Sequence, residues 1–239
     1  MTPGPKTALI TGAAGGLGLA LVSAFIESGY AVAAGYHRNS GALQEGDRCL
    51  PIRLDVTQRE EVSGAMKQII ERFQKIDLLV NNAGMTDDSP IWEMSEENWT
   101  RVLEVNLRGA FLCTQAVVRG MLQQRSGHII NIGSFSGRAG QKGQSSYAAA
   151  KAALIGLTQS IAREAGPRNV KANIILPGVL RTPLTARLTA DTMETFARQN
   201  ALGRTNDLGE VARFAVHLAG MENVSGQIFQ LDSRIAAWT

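Results

Sequence analysis

Hydrophobic and polar positions follow two alternating patterns along nearly the whole chain. Short, almost continuous apolar runs are typical of parallel strands covered on both faces, and longer segments with apolar residues three and four apart are typical of amphipathic helices. The short runs predict seven strands, at residues 7–11, 31–35, 50–55, 78–81, 128–132, 171–176 and 227–231. The longer segments predict helices at 16–28, 59–73, 96–125, 145–165 and 208–218.

This alternation predicts one α/β domain over residues 1–239, with no linker and no internal repeat. Right-handed crossovers would then build a doubly wound, mainly parallel seven-stranded sheet flanked by helices. The polar segment at about 181–206 fits the alternation poorly. We expect it to be a mobile lid over a functional site.

Composition narrows the classes of protein and partner. The net charge is +3 with 44% hydrophobic and 19% charged residues, and the basic residues are scattered, which disfavours nucleic acid. Cys49 and Cys113 match neither a zinc site nor a disulfide framework, so we expect reduced thiols. The histidines have no ligand spacing, which disfavours a metalloenzyme. Neither a leader nor a membrane-length apolar run is recognisable, and we expect a soluble, cytoplasmic protein.

A glycine-rich turn separates the first predicted strand from the first predicted helix. It reads Thr11-Gly12-Ala13-Ala14-Gly15-Gly16-Leu17-Gly18. Glycines let the backbone turn tightly and approach a pyrophosphate, and the free N–H groups at a helix N-terminus favour negative charge. Following a strand, the turn predicts a dinucleotide site.

The end of the second predicted strand indicates which dinucleotide. An acidic residue there accepts from a ribose 2′-hydroxyl, whereas an arginine receives a 2′-phosphate. No acid occurs from Tyr30 to Ser40, and Arg38 stands at the strand end. We therefore predict NADP(H), with Arg38 as the phosphate partner; a solvated loop arginine is the alternative.

Tyr147 and Lys151 lie four residues apart in a helix-forming stretch, so both fall on one helix face. Free tyrosine has a pKa near 10, and a nearby cation lowers that pKa. Ser134 ends the fifth predicted strand, at the edge where open α/β sheets bind ligands. Its hydroxyl could hold a substrate oxygen beside Tyr147, although a turn or cap role is the alternative.

Taken together, these residues resemble the short-chain dehydrogenase/reductase family over the whole chain. The matching pieces are Thr11-Gly12-x-x-x-Gly16-Leu17-Gly18, Asp55-Val56-Thr57, Asn81-Asn82-Ala83-Gly84, Val105-Asn106-Leu107, Ser134, Tyr147-x-x-x-Lys151, and Pro177-Gly178 followed by Thr182. The resemblance implies a Rossmann fold and hydride transfer between a nicotinamide dinucleotide and a carbonyl or alcohol.

It also implies a role for each matching residue. Ser134 would orient the carbonyl, Tyr147 would be the general acid in reduction and the general base in oxidation, Lys151 would bind the nicotinamide ribose and lower the pKa of Tyr147, and Asn106 would support a proton-relay water. The implied cofactor contacts are Asp55 and Val56 at the adenine, Asn82, Ala83 and Gly84 at the middle, and Pro177, Gly178, Leu180 and Thr182 at the nicotinamide end.

Within the family, residues 81–111 and 127–177 are most similar to 3-oxoacyl-acyl-carrier-protein reductases. This implies reduction of a 3-oxoacyl thioester, on acyl carrier protein or CoA, in fatty acid biosynthesis. Arg125 and Arg168 match two arginines that meet the acidic carrier near the site entrance, and a homotetramer is the family expectation. The family's C-terminal Asp-Gly-Gly is here Asp232-Ser233-Arg234, which puts the usual tail geometry in doubt.

Two other functions are compatible with the same motifs. An NADP-dependent alcohol or sugar dehydrogenase would use the same catalytic residues in the oxidative direction. A non-enzymatic dinucleotide sensor would keep the fold and lose turnover; the complete set Asn106, Ser134, Tyr147 and Lys151 argues against it.

Overall fold

A computed structural model describes residues 4–235. Its sheet has seven strands, all parallel, in the order β3-β2-β1-β4-β5-β6-β7. The strands are β1 Thr7–Ile10, β2 Ala31–Tyr36, β3 Cys49–Arg53, β4 Leu78–Asn81, β5 Gly127–Ile132, β6 Val170–Pro177 and β7 Ile228–Leu231. The predicted doubly wound α/β fold is confirmed.

Helices cover both faces of the sheet. They are α1 Gly16–Glu27, α2 Arg59–Phe73, α3 Glu96–Leu103, α4 Gly109–Gln124, α5 Ser136–Ala139, α6 Ser145–Ala165, α7 Ala190–Arg198 and α8 Leu208–Ala219. Helices α1 and α8 pack on one face, through residues such as Phe25 and Leu218. Helices α2, α4 and α6 pack on the other, through residues such as Ile69, Met121 and Ile161. Burial on both faces explains the continuous apolar strands.

The predicted helix 96–125 is interrupted. A π-helical turn at Glu104–Arg108 separates α3 from α4. Such turns leave the regular i to i−4 hydrogen-bonding ladder and often mark functional sites. Here the Asn106 amide Nδ2 donates to the carbonyl of Val102 at 2.9 Å. Periodicity did not indicate the turn, because one extra residue barely changes the apolar spacing.

The segment 181–206 is more ordered than its polar composition suggested. It contains a short 3₁₀ turn at Pro183–Thr185 and the nine-residue helix α7. Thr189 caps α7 by accepting from the Thr192 N–H at 3.2 Å. Among helices within residues 4–235, none has the length and hydropathy that crossing a membrane requires.

The strand order places a crevice at one edge of the sheet. From β1 the chain runs outward through β2 to β3, then crosses to β4 on the other side of β1 and runs outward in the opposite direction to β7. In open α/β sheets the ligand crevice lies at such a reversal, outside the carboxyl ends of the strands. The loops after β1, β2, β4, β5 and β6 all meet there.

Candidate active site

A cavity of about 540 Å³ occupies this carboxyl edge. Most of the predicted cofactor and catalytic residues line it, together with part of segment 181–206. The lining includes Gly12, Gly16, Leu17, Gly18, Arg38, Asn82, Gly84, Ser134, Tyr147, Lys151, Pro177, Gly178, Leu180, Thr182, Leu188 and Phe196. The structure therefore brings into one space most of the residues that the motifs singled out along the chain.

The glycine-rich turn has no room for side chains at two positions. Gly12 has a φ of +63°, and a Cβ there would lie 2.8 Å from Ala83 Cα. A Cβ on Gly18 would lie 2.2 Å from the Gly12 carbonyl oxygen. Real Cβ atoms do not tolerate such contacts, so the glycines let α1 begin directly against the turn.

Neighbouring polar groups fix the position of this turn, and no side chain caps the N-terminus of α1. The Thr11 hydroxyl accepts from the backbone N–H groups of Asn82 and Ala83, both at 3.0 Å. Asn82 Nδ2 donates to the carbonyls of Thr11 and Gly12 at 2.9 and 3.1 Å. Helix α1 has no side-chain cap and no acid in its first turn. Its N-terminal N–H groups and dipole can therefore receive a phosphate. The turn fits a dinucleotide.

The far end of the cavity is formed by the residues after β2, among them His37 and Arg38. Asp55 lies outside the lining: its Oδ1 accepts from the Thr57 N–H at 2.9 Å, and its Oδ2 is 3.3 Å from His37 Nε2. Burial raises the pKa of Asp55, but the Thr57 hydrogen bonds and neighbouring positive charges outweigh it, so that the pKa is lowered. No carboxylate within residues 4–235 forms an ion pair with Arg38.

The catalytic candidates lie where β5 meets α6. Lys151 is 3% exposed, and its Nζ donates to the Ile132 carbonyl at 2.9 Å and lies 5.5 Å from the centroid of the Tyr147 ring. Helix α5 packs closely against α6 at Gly137, because a Cβ on Gly137 would lie only 2.7 Å from the Lys151 carbonyl carbon. The phenol, the ammonium and the Ser134 hydroxyl thus share one buried corner.

Burial controls the pKa values in this corner. It raises the pKa of Tyr147 to about 12; the Ser134 hydrogen bond opposes the rise and the charge of Asp88 adds to it. Burial also lowers the pKa of Lys151 to about 8. Desolvation is therefore the dominant influence on the Tyr147 phenol among the side chains of this corner. The lowering of its pKa by Lys151 stays a prediction for the site with cofactor bound.

Asn106 lies at the back of the same corner, on the π-helical turn. Its Nδ2 donates to the Met85 and Val102 carbonyls, whereas its Oδ1 is buried without a hydrogen-bond partner. A Cβ on Gly84 would lie 2.8 Å from that oxygen and 3.6 Å from Lys151 Nζ. The free acceptor therefore faces the lysine, an arrangement that fits a proton path.

Comparison with known protein sequences identifies the family of this chain. The family model described as short chain dehydrogenase matches residues 6–193. The chain belongs to the short-chain dehydrogenase family. It is an oxidoreductase that acts on a CH–OH or C=O group, with a nicotinamide dinucleotide as cofactor.

Curated relatives carry a more specific name. The chain is 39% identical over 236 residues to 3-oxoacyl-acyl-carrier-protein reductase FabG of Thermotoga maritima, covering 95% of this chain and 96% of the relative. It is 36% identical to 3-oxoacyl-acyl-carrier-protein reductase of Synechocystis sp., covering 95% of each. It is 39% identical to the FabG reductase of Vibrio cholerae, covering 91% of each.

Some residues in this family member's site were not predicted. Gln144 Nε2 donates to Asp88 Oδ2 at 3.0 Å, and its Oε1 accepts from the Ser136 hydroxyl at 3.1 Å. The Ser136 N–H donates to Ser134 Oγ at 3.2 Å. This hydrogen-bond chain occupies an acceptor position of Ser134, whose hydroxyl also hydrogen-bonds to Tyr147. No motif indicates it, because its members come from three separate loops and helices.

Two predicted residues lie far from the cavity. Arg125 lies two residues before β5 and Arg168 two residues before β6, so both lie at the amino edge of the sheet. Both are exposed. Neither arginine lies near the cavity of its own chain, because parallel strands carry the residues before them to the edge opposite the cavity. Their contact with an acidic carrier stays a prediction.

The remaining chemical groups lie outside the cavity lining. Cys49 and Cys113 are both free and buried, and burial raises the pKa of the Cys113 thiol to about 12. Within residues 4–235, no three His, Cys, Asp or Glu side chains group as metal ligands. The implied adenine contact Val56 instead packs against α4, since a Cβ on Gly109 would lie 2.5 Å from Val56 Cγ2.

Proposed function

We propose that the protein reduces a 3-oxoacyl thioester, carried by acyl carrier protein or CoA, to the 3-hydroxyacyl thioester with NADPH. The observation that carries the proposal is the shared buried corner of Ser134, Tyr147 and Lys151 beside a turn that fits a dinucleotide. The names of the curated relatives support the substrate class.

In this proposal Tyr147 donates a proton to the substrate oxygen. Its raised pKa keeps the phenol protonated at neutral pH, which is the form that a general acid needs. Ser134 donates a hydrogen bond to the same oxygen and stabilises the negative charge that develops there. A bound nicotinamide dinucleotide supplies the hydride to the carbonyl carbon.

After the proton transfer, Lys151 stabilises the Tyr147 phenolate and Asn106 helps to return a proton to it. The Lys151 ammonium stabilises its negative charge in a site where burial disfavours charge. The unpartnered Asn106 Oδ1 would accept from a relay water that returns a proton towards Lys151. In the oxidative direction the same residues act in reverse, with Tyr147 as general base.

NADPH is proposed over NADH because of the residues after β2. Arg38 lines the cavity end, no acid stands beside it in the segment 30–40, and Asp55 is already bonded to Thr57 and His37. A guanidinium without an internal carboxylate partner suits a 2′-phosphate, to which it can donate two hydrogen bonds.

The substrate side of the cavity suits an acyl chain. Phe135, Val179, Leu184, Leu188 and Phe196 give it an apolar lining next to Ser134. Three of these residues belong to segment 181–206, which we propose closes over the bound acyl group as a lid. Arg125 and Arg168 could act on a carrier protein only if they reach the cavity of a second copy of the chain.

We also propose a homotetramer. Helix α6 exposes the small residues Ala149, Ala152, Ala153 and Gly156, and α4 exposes Phe111. Small and aromatic residues on long helices allow close packing between copies. Light scattering after size exclusion should give four times the chain mass, and a monomer would reject the proposal.

The deciding experiment follows the loss of NADPH absorbance with acetoacetyl-CoA and, separately, with a 3-oxoacyl carrier protein, each repeated with NADH. We expect turnover with NADPH and a Michaelis constant at least about tenfold higher for NADH.

Arg38→Ala should remove most of that preference for NADPH. Arg48→Ala should keep it, because Arg48 is exposed and lies outside the cavity. Turnover of alcohols or sugars but of neither thioester would instead identify an alcohol dehydrogenase, and cofactor binding without any turnover would identify a sensor.

A further inference from the structure

The residues after β7 lie directly behind the substrate side of the cavity. Leu231 pairs with Pro177, so Asp232 passes the carboxyl end of the sheet beside Gly178. A Cβ on Gly178 would lie 2.7 Å from Asp232 Cβ. Since Gly178 lines the cavity, this tail forms the layer that supports it.

Asp232 and Arg234 form a buried ion pair in this layer. The Asp232 side chain is 1% exposed; its Oδ2 accepts from Arg234 Nε at 2.5 Å and also from Arg234 Nη2. Its Oδ1 accepts from Gln230 Nε2 at 2.7 Å and from the Arg234 N–H at 3.2 Å. So many charge-assisted bonds hold the guanidinium in one orientation.

The guanidinium is stacked on an aromatic residue of the site. Arg234 Cζ lies 3.4 Å from the centroid of the Phe135 ring, and Phe135 directly follows Ser134. The Phe135 ring in turn meets Phe196 of α7 edge-on, with centroids 6.1 Å apart and planes at 69°. Both rings line the cavity. We call Phe135 and Phe196 the aromatic wall.

The same tail is bonded to the end of the proposed lid. The Ser233 N–H donates to Asn200 Oδ1 at 3.1 Å, the Ala201 N–H donates to the Ser233 carbonyl at 2.9 Å, and the Leu202 N–H donates to Ser233 Oγ at 3.1 Å. The aromatic wall is therefore fixed from two directions, by Arg234 beneath Phe135 and by Ser233 beyond α7.

We propose that Arg234 is a positioning residue that holds the aromatic wall against the acyl chain and so sets which chain lengths the site accepts. This rests on the proposed thioester reductase function. Arg234 acts through the stacked rings and does not touch the reacting carbonyl. Because the guanidinium is pinned by Asp232, Phe135 cannot turn away to enlarge the cavity, and Phe196 keeps its edge contact.

The test compares chain-length selectivity and lid dynamics. For the wild type and Arg234→Ala we would measure kcat and KM with 3-oxobutanoyl-CoA and 3-oxooctanoyl-CoA, and hydrogen exchange of residues 190–202 without substrate. We expect the kcat/KM ratio of the longer to the shorter thioester to rise about fivefold, chiefly through KM, and the exchange to become faster. Arg72→Ala is the matched control. It also removes an arginine that lies over a phenylalanine ring, since Arg72 Cζ is 5.4 Å from the centroid of Phe73, but this pair is outside the cavity lining.

Arg234→Ala leaves a buried carboxylate without its partner and could misfold. The double variant Asp232→Ala with Arg234→Ala removes both charges and should give the same shift in selectivity. An unchanged ratio in an active, folded variant would overturn the proposal, and so would a shift of equal size in Arg72→Ala. If the wild type reduces neither thioester, the proposed function fails; unchanged exchange in Arg234→Ala would then refute the positioning role separately.

Discussion

Two buried asparagines, one towards each edge of the parallel sheet, differ in their hydrogen bonding. At the carboxyl edge, Asn106 keeps an unpartnered acceptor, and burial strongly shifts the pKa values of Tyr147 and Lys151. Towards the amino edge, buried Asn173 donates to the Val224 carbonyl at 2.9 Å, accepts from the Gln227 N–H and contacts His128 Nε2 at 2.9 Å. Polar groups that satisfy one another stabilise the fold, whereas groups left free are available to a ligand.

The largest expected effect tests the carboxyl edge. Tyr147→Phe should lower kcat by about a hundredfold or more and leave NADPH binding near normal, because it removes the proton and little of the shape. Steady-state kinetics and fluorescence titration with NADPH would measure the two quantities. Near-normal turnover would mean that the buried corner is not the reaction centre.

A second prediction separates backbone from side-chain function at this edge. Gly18→Ala should weaken NADPH binding by about fiftyfold or more, since the new Cβ would meet the Gly12 carbonyl oxygen at 2.2 Å. Gly64→Ala is the matched control, because it adds a methyl group to α2 outside the cavity, with nothing within 4 Å of the new Cβ. Equal affinities in the two variants would show that the glycine turn does not hold the cofactor.

At the amino edge, we expect the protonation of His128 to change the stability of the protein rather than its activity. Burial, followed by the charge of Lys171, lowers the pKa of His128 to about 4 from its usual 6.5. The folded state therefore resists protonation that the unfolded chain accepts, so stability is lost as the pH falls from about 6.5 towards 4. At pH 5 this loss should be about 2 kcal/mol.

Urea unfolding at pH 7 and pH 5 would measure this loss in the free energy of unfolding. His128→Gln cannot titrate, so its free energy of unfolding should fall less than that of the wild type over this interval, by about the same 2 kcal/mol. An equal fall in both proteins would assign the acid sensitivity to carboxylates elsewhere.

The smallest expected effect concerns the exposed arginines of the amino edge. Arg125→Glu with Arg168→Glu should leave KM for acetoacetyl-CoA within about twofold, because both residues lie away from the cavity of their own chain. A rise in KM for the carrier-bound substrate alone would show that a second copy brings this edge to the cavity. A large rise for acetoacetyl-CoA as well would break the distinction between the two edges.

Sequence patterns alone determined the fold class and indicated residues that line the cavity, whereas the catalytic roles of those residues remain predictions. Continuous apolar strands alternating with amphipathic helices leave little choice but a doubly wound sheet, and the residues at strand ends then converge on one edge. Ser134, Tyr147, Lys151 and the glycine turn were recognisable because their chemistry depends on short local spacings. The NADP preference and the lid remain predictions from the same reasoning.

Only the tertiary structure decided features that depend on distant segments. The bond from Asn106 to the Met85 carbonyl, the bond from Gln144 to Asp88 and the stack of Arg234 on Phe135 each join residues that no local pattern relates. Likewise, burial raises the pKa of Tyr147, an effect that its spacing from Lys151 did not indicate. Local spacing fixes which side chains share a face, but desolvation and packing depend on everything that surrounds them.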